Sequence, residues 1–151
     1  MTTMNFGSLE STAPAPIGSK GLKVLVVEDN TDGAETMAAV VRTAGHTAKI
    51  ASNGLAGIVM AEKDDPDVIL LDIGLPFFNG FEVARSLREK CKRKPIIVGV
   101  TGYGEQAVRE RAVESGFDYF FVKPVDLGML ANLLARLNNN ETTVSDRVDA
   151  S

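Results

Sequence analysis

Four stretches of the chain set a polar group directly behind an apolar run. Lys23-Val24-Leu25-Val26-Val27 is followed by Glu28-Asp29, Val68-Ile69-Leu70-Leu71 by Asp72, Ile96-Ile97-Val98-Gly99-Val100 by Thr101, and Tyr119-Phe120-Phe121-Val122 by Lys123. Continuous apolar runs of this length, closed by turn residues, read as strands buried on both faces of a parallel sheet. The carboxyl ends of such strands are where open parallel sheets bind ligands. Taken alone, Asp72 with Gly74 and Pro76 behind it fits a turn or cap aspartate as well as an acid placed for chemistry. The repetition decides between them: polar groups at the same end of separate strands converge in space, whereas scattered caps would not recur at strand ends.

Three carboxylates brought together repel, each pair at about 4 Å by on the order of 4 kcal/mol at an effective dielectric near 20. A hard divalent cation relieves this. Mg2+ is the natural choice, because it binds one or two carboxylates and keeps waters that a phosphoryl oxygen can replace. Lys123 adds a compact positive charge and Thr101 a hydroxyl donor. Phosphoryl transfer asks for that kind of positioning and charge stabilisation and little else from a protein. Asp72 can itself be the nucleophile, since carboxylates form acyl phosphates.

The elements that must position these groups come from a chain of 151 residues, enough for one domain with a real core. A net charge of -4 and a pI near 5.0 leave no basic excess for a polyanion, which excludes a nucleic-acid binder. Cys91 is the sole cysteine, so an internal disulfide and a thiolate metal cluster are excluded. No apolar run reaches membrane-spanning length and the start lacks a leader pattern, so a cytoplasmic protein with no membrane partner is expected. Residues 1–21, rich in Ser, Thr, Ala, Pro and Gly, read as a flexible arm; 22–137 form the globular domain; 138–151 read as a flexible polar tail.

Helical spacing of Ala34, Met37, Ala38 and Val41 predicts a helix from Thr31 to Ala44, stopped by Gly45. His46 to Ala51 is a short strand. A second helix follows Asn53-Gly54 to about Lys63, with Leu55, Ile58 and Val59 inward, and Asp64-Asp65-Pro66 ends it. Phe81 to Lys90 turns Phe81, Val83, Ala84 and Leu87 inward; Glu105 to Ser115 is a helix closed by Gly116; Asp126 begins one with Leu127, Leu130, Leu133, Leu134 and Leu137 on a stripe. Five strands alternating with five helices imply a doubly wound α/β fold with a five-stranded parallel sheet.

Val26-Val27-Glu28-Asp29-Asn30, Leu70-Leu71-Asp72-Ile73-Gly74-Leu75-Pro76, Val100-Thr101-Gly102 and Phe121-Val122-Lys123-Pro124 together resemble the four signatures of the receiver domain of two-component response regulators, over about Leu22 to Leu137. The resemblance implies a flavodoxin-like sheet of order 2-1-3-4-5. It makes Asp72 the phosphoacceptor, served by a histidine kinase or histidine phosphotransfer protein. It implies Mg2+ held by Asp29, by Glu28 through water, by Asp72 and by the Gly74 backbone carbonyl. Thr101 and Lys123 would bind the phosphoryl oxygens, and Lys123-Pro124 would be a cis peptide. Phe120 would be the switch aromatic, outward at rest and moving inward as Thr101 shifts; lacking a hydroxyl, it departs from the tyrosine common in chemotaxis-type members. With a short polar tail after the last helix, output is expected through an unknown downstream protein or through onward relay of phosphate.

Two readings from other classes compete. A haloacid-dehalogenase-type phosphatase needs a second aspartate two residues after the nucleophile, where Gly74 stands. A flavin carrier needs a hydroxyl- and glycine-rich phosphate loop after the first strand, where Glu28-Asp29 would repel it. The chain also fits a receiver fragment of a hybrid kinase or longer regulator. His46 lacks the context of a phosphorelay histidine, and Lys92-Arg93-Lys94 reads as a solvated loop. Gly74 and Tyr103, each two residues past a site residue, flank the path of an attacking water, with Tyr103 partly covering it. Tyr103→Ala is therefore expected to shorten the acyl-phosphate lifetime, followed as decay of the phosphorylated mass; an unchanged or longer lifetime would rule this shielding out.

Overall fold

The computed structural model describes residues 21–74, 79–102, 116–140 and 148–149. Strands β1 (Lys23–Val27), β2 (Thr47–Ala51), β3 (Val68–Asp72), β4 (Ile96–Thr101) and β5 (Tyr119–Val122) pair in parallel in the order β2-β1-β3-β4-β5. This is the doubly wound, flavodoxin-like arrangement. A two-residue strand, β6 (Val148–Asp149), extends the sheet beyond β5. It falls in the stretch expected as a tail, and two residues are too short to carry a periodic signal. Helices α1 (Thr31–Thr43), α2 (Gly54–Asp64), α3 (Gly80–Lys90) and α4 (Leu127–Asn138) are the four among the described residues. The fifth expected helix, over 105–115, lies outside them, as does Tyr103. Among the described residues no helix is long and apolar enough to cross a membrane.

Each helix starts on a side-chain cap. Asn30 accepts from the Gly33 N–H, Asn53 from Ala56 and Asn79 from Phe81, each at 2.8 Å, and Asp126 accepts from Met129 at 3.0 Å. Such caps contribute about 1 kcal/mol each and fix where the chain leaves a strand end and begins a helix. Alternation along the strands divides the core into two layers. Leu25, Val27, Ile69, Leu71 and Ile97 pack with Phe81, Ala84 and Leu87 of α3; Val24, Val26, Leu70 and Val98 pack with Val41 of α1 and Leu130, Leu133 and Leu134 of α4. β3 is buried along its whole length, as a central parallel strand must be.

The apolar side expected for α2 is corrected. Ile58 packs against the core as expected, but Leu55 and Val59 are 57% and 56% exposed, and Gly54, Gly57 and Ala61 are buried in their place. The helix lies so close to β1 that a Cβ on Gly57 would come within 2.9 Å of Val27 Cγ2. Small residues buy that approach, and hydrophobic periodicity does not register them.

Ion pairs hold the amino ends of the strands. Arg88 of α3 donates from Nη1 to the Pro95 carbonyl at 2.7 Å and from Nε and Nη2 to the Gly116 carbonyl at 3.1 and 2.7 Å. Its Nη2 also pairs with Asp118 Oδ2, which accepts from the Ile97 N–H at 2.9 Å. One guanidinium thus ties α3 to the entries of both β4 and β5. Arg93 pairs with Asp65 at 3.4 Å and with Asp67, so this member of the basic run is anchored although 60% of its side chain is exposed. His46 is buried; its Nδ1 accepts from the Leu22 N–H at 2.9 Å, and burial pushes its pKa down. It is a neutral structural histidine. Arg88→Ala leaves Asp118 largely buried without its cation, so unfolding free energy from urea titration should fall by about 2–3 kcal/mol. A loss under about 1 kcal/mol would show that the strand entries do not depend on this clamp.

Candidate functional site

Glu28 and Asp29 follow β1, Asp72 closes β3, Thr101 closes β4 and Lys123 follows β5, so the register of the sheet delivers all five to its carboxyl edge. β1 and β3 are adjacent, and β3 pairs with β4 so that Asp72 stands opposite Val100, one residue before Thr101. One ligand atom from each of Glu28, Asp29 and Asp72 lies within 4.8 Å of the others. Glu28, Asp72 and Thr101 are buried and Asp29 is exposed, which leaves the cluster open to water on one side.

Lys123 Nζ stands 3.3 Å from both Glu28 Oε1 and Asp72 Oδ2. Asp72 Oδ1 accepts from the Gly74 N–H at 2.9 Å, and Glu28 Oε2 accepts from the Asn30 N–H at 3.1 Å. Both buried carboxylates are therefore oriented by a backbone amide two residues on, while their other oxygen faces one ammonium. The Lys123 N–H donates to the Thr101 carbonyl at 2.7 Å, and the Lys123–Pro124 peptide is cis. Asn30 was absent from the sequence reading as a site residue. Its role lies in its backbone amide, which side-chain type does not reveal.

Among the described residues the charge in this cluster is unbalanced: three carboxylates gather, and Lys123 stands close to two of them. Burial, a hydrogen bond with Asp72 and repulsion from it raise the Glu28 pKa to about 7, against the pull of the Asn30 amide and Lys123. Lys123 is itself raised: burial alone would lower it, and the attraction of Asp72 and Glu28 outweighs that. An all-oxygen donor set of this kind, partly exposed and short of positive charge, fits a hard divalent cation that retains waters. Glu28, Asp29 and Asp72 are the side chains that would hold it.

Phe120 is 1% exposed, in the layer with Ile97, Phe117 and Leu87, and not outward. Alternation along β5 turns Phe120 toward the α2 and α3 face, where the surrounding core closes over the ring. His46 lies in the turn before β2, where its imidazole receives the amide that leads into β1, away from the carboxyl edge.

A family model described as the response regulator receiver domain matches residues 24–135. The chain is 38% identical over 116 residues to the transcriptional regulatory protein CusR of Escherichia coli (strain K12), covering 77% of this chain and 49% of that protein. It is 32% identical over 125 residues to the sensor histidine kinase AtsR of Burkholderia thailandensis, covering 80% of this chain and 20% of that kinase. It thus spans about half the length of such a regulator and a fifth of such a kinase. Among solved structures, the receiver domain of a Pseudomonas aeruginosa PAO1 sensor histidine kinase, with magnesium ion coordinated in its active site cleft, superposes with a TM-score of 0.70 at 28% identity over 79% of this chain and 98% of that one. A CheY-like receiver domain protein from Methanospirillum hungatei JF-1 shares the fold, with a TM-score of 0.72 at 22% identity over 78% of this chain and 94% of that one.

The raised pKa of Glu28 gives a pH signature. Its folded value lies above the usual 4.5, so its proton favours the fold fully below 4.5 and that contribution is lost as pH rises through about 7. A divalent cation must displace the same proton. Mg2+ affinity should therefore rise up to roughly tenfold per pH unit below pH 7 and level off above it, with proton release detected by calorimetry in buffers of different ionisation enthalpy. Glu28→Gln should flatten this dependence; a profile unchanged by that substitution would assign the proton elsewhere.

Proposed function

The chain belongs to the response regulator receiver domain family, and from that membership we propose that it accepts a phosphoryl group on Asp72 from a histidine kinase or histidine phosphotransfer protein. The observation that carries this reading is the setting of Asp72: a carboxylate 5% exposed at the end of the central strand, with one oxygen on the Gly74 amide and the other facing Lys123. In the transfer, a carboxylate oxygen of Asp72 attacks phosphorus, the bond from phosphorus to the donor imidazole nitrogen breaks, and that nitrogen leaves with the electron pair. Lys123 meets the charge that develops on the phosphoryl oxygens, and the Thr101 hydroxyl donates to one of them. The Gly74 amide keeps the attacking carboxylate from rotating. Mg2+ held by Asp29, Asp72, Glu28 through water and the Gly74 carbonyl would neutralise the excess negative charge that otherwise repels a phosphoryl group.

A groove of about 630 Å3 opens beside this cluster, lined by Asn30, Thr36 and Met37 from the α1 side and by Lys123, Pro124 and Leu127 from the segment after β5. It offers a partner helix carrying the phosphohistidine a largely apolar floor that ends at Glu28 and Lys123, the two groups beside Asp72. A covalent phosphate on Asp72 then changes the carboxyl edge through Thr101 and Lys123, and output proceeds by binding a downstream protein in the cytoplasm. Phe120, packed in the core, serves this change as a fixed wall. The only chemistry in this reading is gain and loss of phosphate on the protein itself. Similarity to stretches of sensor kinases supports a second reading, in which the chain acts as the receiver segment of a hybrid kinase or as a relay intermediate.

Incubation with acetyl phosphate and Mg2+ should add one phosphoryl group to the wild type, read by intact mass. The Asp72→Asn variant should gain none. No gain by the wild type, where a known receiver is phosphorylated alongside it, would reduce the cluster to a constitutive binding surface.

A further inference from the structure

Gly80, the first residue of α3, lies with its Cα against the backbone of Ile73, the residue that follows Asp72. A Cβ built on Gly80 would sit 2.6 Å from Ile73 Cα, 2.8 Å from its carbonyl oxygen and 3.1 Å from its carbonyl carbon. The atoms on the far side of each contact are backbone, so no rotamer change relieves them. Neither element can retreat without loss. α3 is pinned by Phe81, Val83, Ala84 and Leu87 in the core and by the Arg88 clamp. β3 is pinned by its ladder to β4, and the Ile73 N–H itself donates to the Val100 carbonyl at 2.8 Å. What is left to yield is the peptide joining Ile73 to Gly74.

That peptide carries the N–H that holds Asp72 Oδ1 at 2.9 Å. We propose that Gly80 is a positioning residue for Asp72: by letting the first turn of α3 bear directly on Ile73, it holds the Gly74 amide on Oδ1 and so sets the carboxylate that Lys123 and a cation must share. The consequence for phosphoryl transfer rests on the receiver reading of Asp72, whereas the contact and its effect on the amide do not. Rigid elements give a tighter geometry than loops, and a misplacement of about 1 Å at a reacting group costs up to roughly a hundredfold in rate.

The test uses the full chain with Gly80→Ala, and with His46→Ala as a variant weakened away from the site. In the metal-free protein, amide hydrogen exchange by NMR reads the Gly74 N–H directly. Protection at Gly74 should fall about tenfold in Gly80→Ala, the loss of one amide hydrogen bond, while protection at Ile73 stays within about threefold. Mg2+ affinity by calorimetry should weaken about tenfold, and the acetyl phosphate rate at saturating Mg2+ should also drop, since the carboxylate is free to rotate even when the cation is bound. His46→Ala should lower the melting temperature and leave Gly74 protection, Mg2+ affinity and rate unchanged. A folded Gly80→Ala with wild-type Gly74 protection and Mg2+ affinity overturns the proposal. Loss of Gly74 protection and of Mg2+ affinity in a protein whose wild type takes no phosphate would overturn the receiver reading and keep the positioning. Should Gly80→Ala not fold, Asn79→Ala carries the test: it removes the cap on Phe81 and loosens the same turn, so Gly74 protection and Mg2+ affinity should fall severalfold, and no change in either overturns the proposal.

Discussion

Two carboxylates are buried within 3.3 Å of the same ammonium, and this crowding is the constraint on which the rest of the structure depends. Left to themselves, Glu28 and Asp72 would move apart or take up protons, and burial, with a lesser push from Asp72, raises Glu28 to about 7. Their geometry persists because each is attached to the end of a strand that cannot move. β1 and β3 lie side by side in the middle of the sheet, buried on both faces. The hydrophobic layers on either side hold them there, and the two backbone amides that grip the carboxylates are placed by the same chain turns that leave those strands.

The two ends of the sheet use the same residue types in opposite ways. At the amino ends, acids are matched: Asp118 with Arg88, Asp67 with Arg93 and Asp64 with Lys49. At the carboxyl edge, Glu28 and Asp72 share Lys123 among the described residues, and Asp29 stands beside them. The matched end ties elements together, the partly buried Arg88 and Asp118 pair most of all, because Arg88 holds the carbonyls of Pro95 and Gly116 just before β4 and β5 while Asp118 accepts from Ile97 of β4. The unmatched end is the one that a cation would relieve, since a cluster already neutral would have little electrostatic free energy left to gain.

Strands β1, β3, β4 and β5 were legible because a parallel strand buried on both faces leaves an uninterrupted apolar run, and because the polar residue that ends each run marks one edge; the order of the strands was implied by the resemblance. Glu28, Asp29, Asp72, Thr101 and Lys123 were therefore placed at one edge from sequence alone. The inward side of α2 was not legible: Leu55 and Val59 look like a buried stripe, whereas the helix packs through Gly54, Gly57 and Ala61. The Arg88 clamp was hidden for a related reason, since its acceptors are the carbonyls of Pro95 and Gly116, and carbonyls have no sequence signature. Phe120 reads as core from its place in an apolar run, and the structure buries it; the outward position was implied by the resemblance alone.

Glycine carries the part of the site that side-chain chemistry cannot show. Gly57 brings α2 onto Val27, whose successor is Glu28, and Gly80 brings α3 onto Ile73, whose predecessor is Asp72. In each case the missing Cβ lets a helix rest on the chain next to an acidic residue, so the strand ends are braced from outside as well as paired within the sheet. A helix capped by a side chain and packed at this range transmits little slack. The carboxylates can then be held close together against their own repulsion by the stiffness of their supports, and the energy of that repulsion is kept for whatever cation or phosphoryl group relieves it.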